Sequence, residues 1–250
     1  MDRFKLNVDA GGIFSKFIFI IQNLNSINAN FKHVYINNVD ERSLTGENNI
    51  FDFILDQTNV ETWPSIDCVH HGNYSKILPI ESSPNLLQYK KIVKKIKLNQ
   101  TIIDKFNFYL NKYNINETYL GVHIRLCDMN IYHDRDYGVV SYDDFLKCIK
   151  TEKQPGMKIF LSSDNHESIE KLKAEFGDDI VYIDGFLRGD SETEDTMTLQ
   201  LTNFKNLRLW EEAFIEMLLL ANCGQLICRT SNFNNVSVIY SNTIKKIIRL

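Results

Sequence analysis

A chain of 250 residues with 44% hydrophobic and 24% charged residues can bury one large core or two small ones, so a single α/β domain and two Rossmann-like halves are both admissible. The formal net charge of -4 argues against a nucleic-acid surface, which needs a basic excess on one face. Five cysteines in no CxxC spacing indicate neither a disulfide framework nor a zinc ribbon, and no secretion signal or bilayer-spanning apolar run is visible, so the expectation is a cytoplasmic protein.

From the N-terminus, a strand over 4–9 runs into the turn Asp9-Ala-Gly-Gly12, an apolar helix follows from Ile13 to Leu24, and a strand covers His33 to Asn37. That order reads as a βαβ unit with Gly11 and Gly12 in a candidate binding turn. Residues 40–90, with turn-forming Pro64, Pro79 and Pro84, do not resolve into ordered elements. The basic run Lys90 to Lys97 alternates with Ile and Val, which predicts an amphipathic element with its lysines in solvent. Apolar Ile102, Ile103, Phe106 and Leu110 are spaced for a helix over 100–112.

Beyond it the pattern is regular: strand 119–125, helix 142–150, strand 158–163, helix 165–176, strand 180–184, helix 208–222, strand 225–228 and helix 232–241. Strands alternating with helices of these lengths imply a parallel sheet wound with right-handed crossovers. Three strand ends carry polar residues: His123, Arg125 and Asp128; Ser162, Ser163 and Asp164; and Arg229, Thr230, Ser231 and Asn232. In an open α/β sheet these ends share one edge, where ligands bind. Arg125 is a candidate anion clamp, because a guanidinium matches a phosphate bidentately, and Asp128 is placed to accept from ribose or sugar hydroxyls. The 229–232 turn can cap the following helix and offer its N–H groups to an anion. Ser162 to Asn165 reads first as a cap for its own helix.

Glu212 and Glu216, four residues apart, share a helix face beside an apolar run. They could accept from a guanine N–H edge or from ribose, or simply face solvent. The loop His133-Asp-Arg-Asp136 holds a base active near neutral pH together with acids, a candidate set for deprotonating an acceptor hydroxyl. Asp134 and Asp136 also match the loose DxD pattern of metal-dependent sugar transferases. Since Arg125 already supplies a cation for a diphosphate, no metal is expected.

Three segments taken together, Gly121 to Asp128, Phe160 to Asp164 and Glu212 to Asn234, resemble in order and spacing the donor-site motifs of the superfamily of α1,6-fucosyltransferases, nodulation fucosyltransferases and protein O-fucosyltransferases. The resemblance spans residues 115–245 and implies a GT-B fold, two Rossmann-like domains facing a cleft, here 1–113 on the acceptor side and 114–250 on the donor side. It further implies metal-independent, inverting transfer of fucose from GDP-fucose to a glycan or protein hydroxyl, with no cofactor beyond the GDP-sugar itself. By that resemblance Arg125 grips the β-phosphate, His123 shapes the same pocket, Ser231 and Asn232 bind phosphate, and Asp128 contacts the nucleotide. Leu126 and Cys127 depart from it, standing where the family often has a second arginine and a Gly or Thr. Two other readings fit the residues: a nucleotide- or glycan-binding module without turnover, and a metal-dependent transferase acting through Asp134 and Asp136.

Overall fold

The central strand of the molecule, Leu120–Ile124, is buried at all five positions, as expected of a parallel strand covered on both faces. The computed structural model describes residues 4–8, 13–26, 34–38, 51–57, 65–67, 78–126, 140–189 and 207–250. In the N-terminal half, β1 (Phe4–Val8), α1 (Ile13–Ser26) and β2 (Val34–Asn38) form the expected parallel βαβ unit. A short helix α2 (Phe51–Ile54) precedes β3 (Ser65–Asp67), which pairs parallel with the other side of β1 and gives the order β2-β1-β3. The third strand lies in the region whose interrupted pattern gave no order. α1 is apolar over most of its circumference, and Phe17, Ile20 and Ile21 are almost wholly buried, because other helices cover it as well as its own sheet.

The connection to the second half is helical. A 3₁₀ turn (Ile80–Ser82) leads to α3 (Leu86–Val93) and then α4 (Gln100–Tyr113). Asn99 caps α4 by accepting from the Thr101 N–H, and Asn114 ends it in the left-handed region at φ 52°. The lysine run does not lie wholly in solvent: Lys90 is half-buried on α3 and donates to the Ser241 carbonyl at 2.7 Å. Burial and the neighbouring Lys94 hold its pKa below the usual lysine range.

The C-terminal half is a five-stranded parallel sheet in the order β6-β5-β4-β7-β8. Its strands are β4 (Leu120–Ile124), β5 (Ile159–Ser163), β6 (Ile180–Val181), β7 (Gln225–Cys228) and β8 (Lys246–Arg249). Its helices are α5 (Tyr142–Glu152), α6 (His166–Phe176), α7 (Leu207–Leu220) and α8 (Asn232–Tyr240). β6 stops three residues before the expected end, because the chain turns at Asp184 and Gly185, and Gly185 takes the positive φ of 77° that this turn requires. β8, which the sequence reading left without an element, closes the far edge beside β7. One face of the sheet packs Phe145, Ile149, Ile169 and Leu172 from α5 and α6. On the other, α7 and α8 meet α1, with Phe14 in edge contact with Phe233 and Phe17 5.5 Å from Phe214.

Candidate functional site

The register of the sheet decides which polar residues meet. β4 sits between β5 and β7, and His123 is level with Ser162 on one side and Cys228 on the other. The chain therefore leaves all three strands at the same level, and the residues that follow them stand side by side. A cavity opens at this edge, lined by His123, Arg125, Ser163, Asp164, Glu212 and Glu216 among others. Six of the residues expected at a ligand site are thus brought together from three segments distant in sequence. Phe14 of α1 closes the cavity from the N-terminal half, and Phe233 at the start of α8 lies under the His123 imidazole, ring centroids 4.2 Å apart.

Ser163 and Asp164 serve the backbone as well as the cavity wall. Ser163 Oγ accepts from the Asn165 N–H, Asp164 Oδ1 accepts from the Leu126 N–H at 3.3 Å, and Asn165 is the residue that caps α6. At the third strand end, Thr230 lies in the turn and Ser231 is the N-cap of α8, its hydroxyl accepting from the Asn234 N–H. The N–H groups of Asn232 and Phe233, in the first turn, have no acceptor among the described residues. Asn232 itself is engaged: its side-chain amide donates to Ser15 Oγ on α1 at 2.7 Å. That bond ties the two halves together, and the N–H groups of the first turn are donors that the described residues leave open at this strand end.

The solvent-facing alternative for Glu212 and Glu216 does not hold. Both are buried, because they anchor the loop that follows β6, to which the sequence pattern assigns no role. Glu216 pairs with Arg188 at 2.6 Å and accepts from the Ser162 hydroxyl at 2.8 Å. Glu212 pairs with Arg208 at 2.6 Å and accepts from the Leu187 N–H at 2.7 Å. Together they clamp Phe186, Leu187, Arg188 and Gly189 as one wall of the cavity. Arg188 is the residue the sequence reading missed. The available signal was an arginine between Leu187 and Gly189 in the segment after the expected strand 180–184, too little to separate it from surface arginines. Gly11, Gly12, Asp128, His133, Asp134 and Asp136 lie outside the described residues. No helix among the described residues is long and apolar enough to cross a membrane.

No protein-family model matches the chain, nor does any curated protein. Among solved structures it is similar to NodZ α1,6-fucosyltransferase co-crystallised with GDP, at 14% identity and a TM-score of 0.56, over 100% of this chain and 95% of that one. The same enzyme soaked with GDP-fucose gives 13% identity and a TM-score of 0.57 with the same coverage. Fucosyltransferase NodZ from Bradyrhizobium gives 14% and 0.52, again over 100% and 95%. At this identity the likeness is one of fold: the chain has the GT-B-like arrangement of two parallel-sheet α/β units along its whole length.

Proposed function

We propose that this chain is a glycosyltransferase that binds a GDP-sugar, GDP-fucose by its motifs, in the cavity at the end of β4, and transfers the sugar with inversion and without a metal to a glycan or protein hydroxyl. The observation that carries the reading is the convergence of His123, Arg125, Ser163, Asp164, Glu212 and Glu216 on one cavity beside the Ser231-capped start of α8. Arg125 and the N–H groups of Asn232 and Phe233 supply a fixed cation and aligned dipoles where a diphosphate would rest. Such preorganised donors stabilise the charge that grows on the leaving GDP more than the charge of the bound substrate, which is the condition for acceleration. Each carboxylate oxygen of Glu216 and Glu212 accepts one bond within the protein, so lone pairs remain for a base edge or a ribose hydroxyl. Asp128 is assigned to the nucleotide as well, and Gly11 and Gly12 to the facing turn. In this reading the acceptor lies against the 1–113 half. The His133, Asp134 and Asp136 loop, which follows the Arg125 strand, supplies the base.

Titration calorimetry with GDP, UDP and GDP-fucose tests the site. GDP and GDP-fucose should bind in excess EDTA, and UDP should bind more weakly. Arg125→Ala should stay folded and lose about 2 kcal/mol of GDP affinity, the size of a charge-assisted contact. Equal GDP affinity in the folded variant would remove Arg125 from the site. Donor binding with neither hydrolysis nor transfer would turn the enzyme into a binding module, and an absolute requirement for manganese or magnesium would move the chemistry to Asp134 and Asp136.

A further inference from the structure

A second cavity, of about 140 Å³, lies where the start of α4 meets α2 and the start of α7, and the motifs do not account for it. Its apolar walls are Ile54, Ile102, Leu207 and the Trp210 indole, and its polar lining is Asn99, Thr101 and Glu211. Trp210 also lines the cavity that holds Arg125, so the two spaces share this residue as a wall. The polar groups are held rather than loose. Asn99 uses its carbonyl oxygen to cap α4, which leaves its amide NH₂ without a partner among the described residues. Glu211 is fixed by Lys105, 2.6 Å away and itself half-exposed. Amide, hydroxyl and carboxylate set round an aromatic face is the inventory that a pyranose ring requires: its hydroxyls need both donors and acceptors, and its C–H face needs a flat apolar surface. The space is open to solvent, so a pyranose, larger than the benzene that an enclosed space of about 150 Å³ accepts, can set one face into it and leave its remaining hydroxyls in water. We propose that this cavity is a carbohydrate subsite that seats one ring of the acceptor glycan against Trp210, next to the donor cavity.

The proposal rests on the transferase reading, and the experiment separates the two. Saturation-transfer NMR with the methyl glycosides of glucose, galactose, mannose and N-acetylglucosamine is run on the whole chain, with GDP binding by calorimetry alongside. The expected result is a signal from at least one glycoside that persists when GDP is saturating. That signal should be lost in Thr101→Trp, which fills the cavity from an exposed position, and weaken at least fivefold in Glu211→Gln, both variants keeping wild-type GDP affinity and melting temperature. Glycoside binding that survives both changes, or no glycoside binding in a chain that binds GDP, overturns the subsite while leaving the donor site standing. Binding lost in Thr101→Trp in a chain that ignores GDP keeps the subsite and removes the transferase.

Discussion

Arg188 and Glu216 should be worth little as a pair and a great deal to each other. Their side chains are 2% and 8% exposed and 2.6 Å apart. Glu216→Leu strands the guanidinium in a space where the carbonyls of Ser163 and Ile183 are its remaining acceptors. Removing one member of a buried pair costs about 3–5 kcal/mol, and the two surviving carbonyl bonds place this case near 3. Arg188→Met leaves a buried carboxylate with the Ser162 hydroxyl and should cost a similar amount. The double variant replaces both charges by apolar groups of comparable volume and should fall within about 1 kcal/mol of wild type, so the coupling in the cycle is on the order of 5 kcal/mol. Urea unfolding of the four proteins, followed by far-UV circular dichroism, measures it. A double variant as unstable as the two single losses combined would show that the two side chains do not stabilise one another, and the wall of the cavity would need another explanation.

Acid sensitivity should appear at Glu81. Burial alone would raise its carboxyl, but the hydrogen bonds and charge of Arg249, with its own backbone bond, outweigh burial and hold it below the ordinary value of 4.5. A depressed carboxyl contributes stability that is complete above 4.5 and is lost as pH falls through the lower, folded value. The melting-temperature gap between wild type and Glu81→Gln should thus be widest at neutral pH and close below pH 4.5, and a constant gap would refute the assignment. Gly224→Ala should cost about 3 kcal/mol in chemical denaturation, since its Cβ would stand 2.0 Å from the Glu117 carbonyl oxygen; a loss under about 1 kcal/mol would mean the backbone yields there. Alanine at one of His133, Asp134 and Asp136 should lower kcat at least about a hundredfold with GDP affinity within a few fold. Near wild-type kcat in all three would move the base elsewhere.

The regular alternation after residue 119 was legible because each strand there is a run of strand formers ending in polar residues, and buried parallel strands tolerate little else. The cavity followed from the same ends, since one register fixes them all. What escaped was set by tertiary contact. β8 carries lysine and arginine at its ends, so Lys246-Ile-Ile-Arg249 lacks the apolar signature of its neighbours and is a strand because β7 has an open edge. For Glu212 and Glu216 the sequence leaves a nucleotide contact and a solvent-facing position equally open, and their burial is decided by Arg208 and Arg188, one on the same helix and one from a distant loop. Lys90 belonged to a run that reads as solvated, and the Ser241 carbonyl drew it inward.

Arg249 grips Glu81 with two hydrogen bonds across 168 residues of sequence, and it also reaches Asn235, whose amide holds Leu78 and Ile80. The 78–82 segment, early in the chain, is therefore anchored by residues made late. During synthesis it has no lasting place to dock until β8 has left the ribosome, and contacts this remote slow the search for the native arrangement. The 78–82 segment is made early and fastened last, so an arrested or shortened nascent chain would expose the side of α3 that packs on α8 to whatever chaperone or protease meets it.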